Sequence, residues 1–114
     1  MNSSIDCPLV TDERQFDQVL KAEGNVMALI YATWCPYCRM FLPTFRKFAD
    51  GRNNFVLVQD NQEILADRYE VDVIPTVLCF ENGQISQRLD GTLGVGLSER
   101  QLMEFTERCG LPVK

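Results

Sequence analysis

Seven consecutive apolar residues, Val26 to Ala32, run almost directly into Trp34-Cys35-Pro36-Tyr37-Cys38. An apolar run of this length reads as a strand buried on both faces. Pro36 suits the first position of a helix, where its missing N–H leaves nothing unpaired. The two segments therefore make a strand-to-helix junction with two cysteines at its mouth.

The rest of the chain alternates in the same way. Residues 5–10 are a weak strand candidate, interrupted by Pro8. Thr11 is placed to cap a helix over 12–22 whose apolar stripe is Phe16, Val19 and Leu20. A helix over 36–50 puts Phe41, Phe45 and Phe48 on one inward face, and Pro43 inside it predicts a kink. Phe55 to Gln59 is a second buried strand. A short helix over 61–70, capped by Asp60, turns Ile64, Leu65 and Tyr69 inward. Thr76 to Phe80, the turn Asn82-Gly83 and Gln84 to Leu89 form a hairpin. Ser98 with Gln101 is a capping box for a last helix over 98–109, with Leu102, Phe105 and Cys109 inward; Gly110 and Pro112 end it. The order βαβαβα followed by ββα predicts one α/β domain with a mixed sheet.

With 114 residues the chain suits a single domain that buries roughly two-thirds of its unfolded surface. It has no histidine, which removes Ser-His-Asp and Cys-His catalysis and histidine metal ligands. A net charge of −5 argues against nucleic acid as a partner. No apolar run approaches membrane length, and Met1 to Asp6 lacks the features of a signal peptide, so a cytoplasmic location is expected.

Five cysteines, Cys7, Cys35, Cys38, Cys79 and Cys109, cannot all pair within one chain. Cys35 and Cys38 stand one helical turn apart, on one face and close enough for a disulfide. Cys35 meets the free N–H groups and dipole of the helix N-terminus, which favour a thiolate. Cys38 lies one turn deeper. These positions make Cys35 the attacking and Cys38 the resolving thiol. A zinc knuckle is disfavoured, since zinc wants four ligands and neither a second pair nor a histidine exists. Cys79 and Cys109 read as inert core thiols, and Cys7 as a bystander near a mobile end. Gly91 to Gly96 is glycine-rich but lacks the Lys-Ser/Thr of a phosphate loop, and reads as a turn.

The segment Tyr31 to Met40 with Pro43, then Val73-Ile74-Pro75-Thr76, Phe80-Glu81-Asn82-Gly83 and Asp90-Gly91, resembles the thioredoxin family over nearly the whole chain. The resemblance implies the thioredoxin fold: a central mixed sheet flanked by helices in three α/β/α layers, with Cys35 exposed beside a cis Pro75. It implies a shallow substrate groove around the thiolate, formed by Trp34, Pro36, Tyr37, Ile74, Pro75 and Gly91, where the backbone of Ile74 pairs with a substrate strand. The implied activity is thiol–disulfide exchange on disulfide-containing proteins. No bound cofactor or metal and a monomeric chain are expected, with electrons from an outside donor: a thioredoxin reductase with NADPH, or glutathione.

Two departures bear on chemistry. The spacer Pro36-Tyr37 is the glutaredoxin dipeptide, which predicts a potential less reducing than the about −270 mV of thioredoxin. The family's buried aspartate, six residues before the first cysteine, is Leu29 here, and its lysine partner aligns with Val56. Arg39, Arg46, Lys47 and Arg52 against Asp50 also make the nucleophile's helix the basic part of an acidic chain. Rival readings are a glutathione-coupled reductase, an exported oxidase or isomerase, and a peptide-binding or shared-cluster scaffold without catalysis.

Overall fold

The computed structural model describes residues 7–52 and 54–110. The start of the first strand candidate, Met1 to Asp6 and the helix stop at Pro112 lie outside them. The elements are β1 (Leu9–Val10), α1 (Glu13–Ala22), β2 (Asn25–Tyr31), α2 (Pro36–Ala49), β3 (Phe55–Gln59), α3 (Ile64–Arg68), β4 (Thr76–Glu81), β5 (Gln84–Leu89) and α4 (Glu99–Arg108). They form one five-stranded sheet in the order β1-β3-β2-β4-β5. β3 runs parallel to β1 and β2, whereas β4 runs antiparallel to β2 and β5.

The apolar run lies at the centre of this sheet, and its alternate residues feed two cores. Met27, Leu29 and Tyr31 pack with Phe41 and Phe45 of α2 and Leu102 and Phe105 of α4. Val26, Ala28 and Ile30 pack with Phe16 of α1 and Leu65 and Ala66 of α3. The second core is tied together by the rings of Phe16, Tyr69 and Phe80, which meet edge to face with centroids 5.3 to 6.2 Å apart. Helices on both faces of the sheet make the three-layer thioredoxin fold.

Several boundaries differ from the sequence reading. Asp12, not Thr11, caps α1: its extended backbone aims Oδ1 at the Gln15 N–H, 2.8 Å away. Thr11 sits one residue outside and donates its own N–H to Gln15 Oε1 at 2.8 Å. α3 is shorter than expected and begins after Glu63, which adopts a left-handed backbone (φ 61°). Asp60 still serves that helix, from further back: its two carboxylate oxygens accept the N–H groups of Leu65 and Ala66 at 3.0 and 2.7 Å. The later start turns Ile64 outward, 49% exposed, and leaves Leu65 and Tyr69 to fill the core. α2 continues past Pro43 to Ala49 without a break.

Arg88 on β5 braces the far side of the sheet. Its guanidinium donates to the Tyr69 and Glu70 carbonyls at 3.0 and 3.1 Å and to Asp90 Oδ1 at 3.0 Å. The exit of α3 is thereby fixed just before the loop that leads to Pro75.

Candidate active site

The buried end of β2 delivers the chain to Thr33 and Trp34, and the turn there is held from β3's exit loop. Asn61 Oδ1 accepts the Thr33 N–H at 2.8 Å, and the Asn61 carbonyl accepts the Trp34 indole N–H at 3.1 Å. Arg39 adds a bond to the Thr33 carbonyl at 3.1 Å. Trp34 is therefore placed by its ring nitrogen while 54% of it stays exposed, which excludes ordinary core packing.

Cys35 is the N-cap of α2, and its Sγ accepts the Cys38 N–H at 3.2 Å. The same sulfur lies 3.8 Å from the Ile74 carbonyl, to which its S–H donates. Contrary to the expectation of an exposed nucleophile, Cys35 is only 6% exposed, because it is held between its own helix end and the Ile74 loop. Cys38 is buried outright. Burial, and after it the bond with Cys35, push the Cys38 thiol up to about 12.

The facing wall is the loop before β4. The Ile74–Pro75 bond is cis. The Thr76 hydroxyl donates to the Val73 carbonyl at 2.6 Å and accepts the Gly91 N–H at 3.3 Å, which fastens this loop to the segment after β5. A Cβ on Gly91 would stand 2.3 Å from the Pro75 carbonyl oxygen, so no side chain fits there without moving backbone. Gly91→Ala is expected to cost about 1–3 kcal/mol, read as a lower midpoint in urea. An unchanged midpoint would show that the loop yields freely.

Tyr37 closes the third side. Its hydroxyl donates to the Gly94 carbonyl at 2.9 Å, and Gly96, at φ 85°, packs where a Cβ would touch the Tyr37 ring. The glycine-rich segment is thus pinned to the spacer residue. Trp34, Cys35, Tyr37, Ile74, Thr92 and Leu93 help line a cleft of about 270 Å³, and Leu93 projects into solvent at its rim. Pro36 is exposed at the first turn of α2, and Pro75 is buried beneath the loop. Of the residues the sequence nominated for the groove, Trp34, Tyr37 and Ile74 line this cleft with Cys35, whereas Pro36, Pro75 and Gly91 are not among its lining residues. Asn61, Thr76 and Leu93 were missed; only the position of Asn61, just after a strand end, carried any signal.

The Thioredoxin family model matches residues 7–106. The chain belongs to the thioredoxin family. It is 33% identical over 81 residues to the thioredoxin of Mycoplasma genitalium, covering 68% of this chain and 79% of that protein. It is 31% identical over 99 residues to the bifunctional thioredoxin reductase/thioredoxin of Mycobacterium leprae, covering 83% of this chain and 22% of that protein. Among solved structures, the thioredoxin of Malassezia sympodialis superposes with a TM-score of 0.76 at 25% identity, over 95% of both chains. As a family member the chain is a thiol–disulfide oxidoreductase of the protein-disulfide reductase type.

The remaining positions depart from the family pattern or from the sequence reading. Leu29 is buried in the same layer as Cys35 and Cys38. The residue opposite it on β3 is Leu57, not the aligned Val56, which faces the other core. No charge pair can form there. Cys7, read as a bystander near a mobile end, donates its S–H to the Phe55 carbonyl at 3.2 Å, and burial pushes its thiol up to about 12. Among the described residues, no three His, Cys, Asp or Glu side chains gather as metal ligands, and no helix is long and apolar enough to cross a membrane.

Proposed function

We propose that the chain reduces disulfides in other proteins by dithiol exchange, with Cys35 attacking and Cys38 resolving. The observation that carries this reading is the sulfur of Cys35, capped by the Cys38 N–H at 3.2 Å at the mouth of α2. A helix N-terminus favours negative charge at that point, and the thiolate is the nucleophile in exchange. Cys35 forms a mixed disulfide as the partner's other sulfur leaves as a thiol. Cys38 then attacks Cys35, frees the second partner thiol and closes the Cys35–Cys38 disulfide. An extended partner segment lies along Ile74, whose main chain supplies sequence-tolerant bonds, while Trp34 and Leu93 cover its apolar side chains.

The electrons come from a thioredoxin-reductase-type flavoprotein using NADPH. The Mycobacterium leprae relative, named for both activities, supports this donor. The protein works as a cytoplasmic monomer. The Pro36-Tyr37 spacer sets its potential above that of ordinary thioredoxin. Equilibration with a glutathione buffer tests this, and a potential near about −270 mV would refute it. Insulin reduction driven by reductase and NADPH tests the donor. Turnover with glutathione alone would reassign the chain to glutathione-coupled chemistry.

A pH dependence follows from the resolving thiol. Burial holds the Cys38 thiol well above its ordinary range, so little of it is ionised at neutral pH and the ionised fraction rises with pH. Release of the mixed disulfide, followed by stopped flow, is expected to accelerate steadily between about pH 6 and 9. A flat profile would mean that another group takes the Cys38 proton.

A further inference from the structure

A second pair of thiols lies outside this site. Cys79 stands in the middle of β4, 3% exposed, and faces the core beneath α2 and α4. Its neighbour across the β4–β5 ladder is Gln87, whose side-chain amide donates to the Arg108 carbonyl at 3.4 Å. The last turn of α4 is thereby held over this point of the sheet. Cys109, the next residue, caps α4 and is half-buried against the same core. The Cys79 and Cys109 side chains both pack in this core layer, under the last turn of α4. Interaction with Cys109 is the main influence that draws the Cys79 thiol down to about 7; interaction with Cys79, with burial, raises Cys109.

We propose that Cys79 and Cys109 form a second redox-active dithiol, which closes to a disulfide on meeting a small-molecule disulfide. Cys109, the less buried of the two residues, attacks one sulfur of the incoming disulfide as its proton passes by way of the Cys79 sulfur to the leaving half. The S–S bond breaks and the other half leaves as a thiolate that takes up a proton. The Cys79 thiolate then attacks the Cys109 sulfur and expels the second half, which is protonated in turn. Two protein thiols lose two electrons and two protons, and one external disulfide becomes two thiols. The new bond ties the end of α4 to the strand that begins directly after Pro75. It does not depend on Cys35, so it stands apart from the activity proposed above.

The test is oxidation of the full chain with excess 2-hydroxyethyl disulfide, then trypsin digestion without reductant and mass spectrometry. Wild type and the triple variant Cys7→Ser/Cys35→Ser/Cys38→Ser are compared. Tryptic cleavage leaves Cys79 alone in the peptide Tyr69–Arg88 and Cys109 alone in Cys109–Lys114. The expected result in both proteins is that these peptides are joined, lighter than their sum by two hydrogens. Separate peptides, with free thiols or with one hydroxyethylthio group each, would overturn the proposal. Joined peptides in wild type but not in the variant would overturn direct oxidation, since the electrons would then leave through Cys35. In Cys79→Ala, Cys109 should keep the hydroxyethylthio group. Its absence there would refute the entry of oxidant at Cys109.

Discussion

Cys35→Ser is expected to bring protein-disulfide reduction down to the uncatalysed background, while Cys38→Ser should trap the partner as a one-to-one mixed disulfide. A hydroxyl is no substitute for a thiolate in exchange, and neither Cys38 nor Cys7 can take over. Cys38 is fully buried with its thiol near 12, so almost none of it is ionised at neutral pH. Cys7 is held equally high and bonded to a backbone carbonyl. Insulin turbidity measures the first loss, and non-reducing electrophoresis shows the trapped species. Residual turnover in Cys35→Ser above background would move the nucleophile elsewhere. Failure of Cys38→Ser to accumulate the complex would remove its resolving role.

The second large effect is expected at Leu29. This side chain is fully buried, opposite Leu57 on β3 and Val77 on β4, within the layer that contains both active-site sulfurs. Leu29→Asp loses that packing and buries a carboxyl group without a partner. The expected cost is about 3–5 kcal/mol, a large share of the roughly 5–15 kcal/mol that holds a domain together. Burial raises the carboxyl's folded pKa above its unfolded value. The folded state therefore binds more protons over that window, and the destabilisation grows as pH rises through it. Urea midpoints for the variant should fall further below wild type at about pH 8 than at about pH 4. In exchange, the carboxylate offers a proton acceptor near Cys38, and release of the mixed disulfide should quicken about tenfold or more. A stable variant would show that the pocket admits water; an unchanged release rate would show that proton removal from Cys38 does not limit the wild type.

What could be read from the sequence was governed by how local each signal is. The Ser98 box closes within one turn, with the Ser98 oxygen accepting the Gln101 N–H and Gln101 Oε1 accepting the Ser98 N–H. The Asn82-Gly83 turn needs only two positive φ angles, and both residues have them. The Cys35–Cys38 pair and its helix-end setting were legible for the same reason. By contrast, the Asp60 carboxylate reaches five and six residues forward, past a left-handed Glu63 that no propensity announces. Thr76 reads as an ordinary β-branched strand residue until the fold sets Val73 on one side of its hydroxyl and Gly91 on the other. The partner of Leu29 depends on strand register, where a shift of one residue moves a side chain to the opposite face. The meeting of Cys79 and Cys109 needs the docking of a helix on a strand, which neither segment encodes alone.

The margins of the sheet also shape how many copies behave together. On one side the outermost strand is only Leu9–Val10; on the other, Gln84, Ser86 and Gln87 stand in water beside the braced Arg88. Among the described residues, such short and polar borders give a crowded solution little to zip onto, and self-templated stacking finds no long apolar ribbon there to start from.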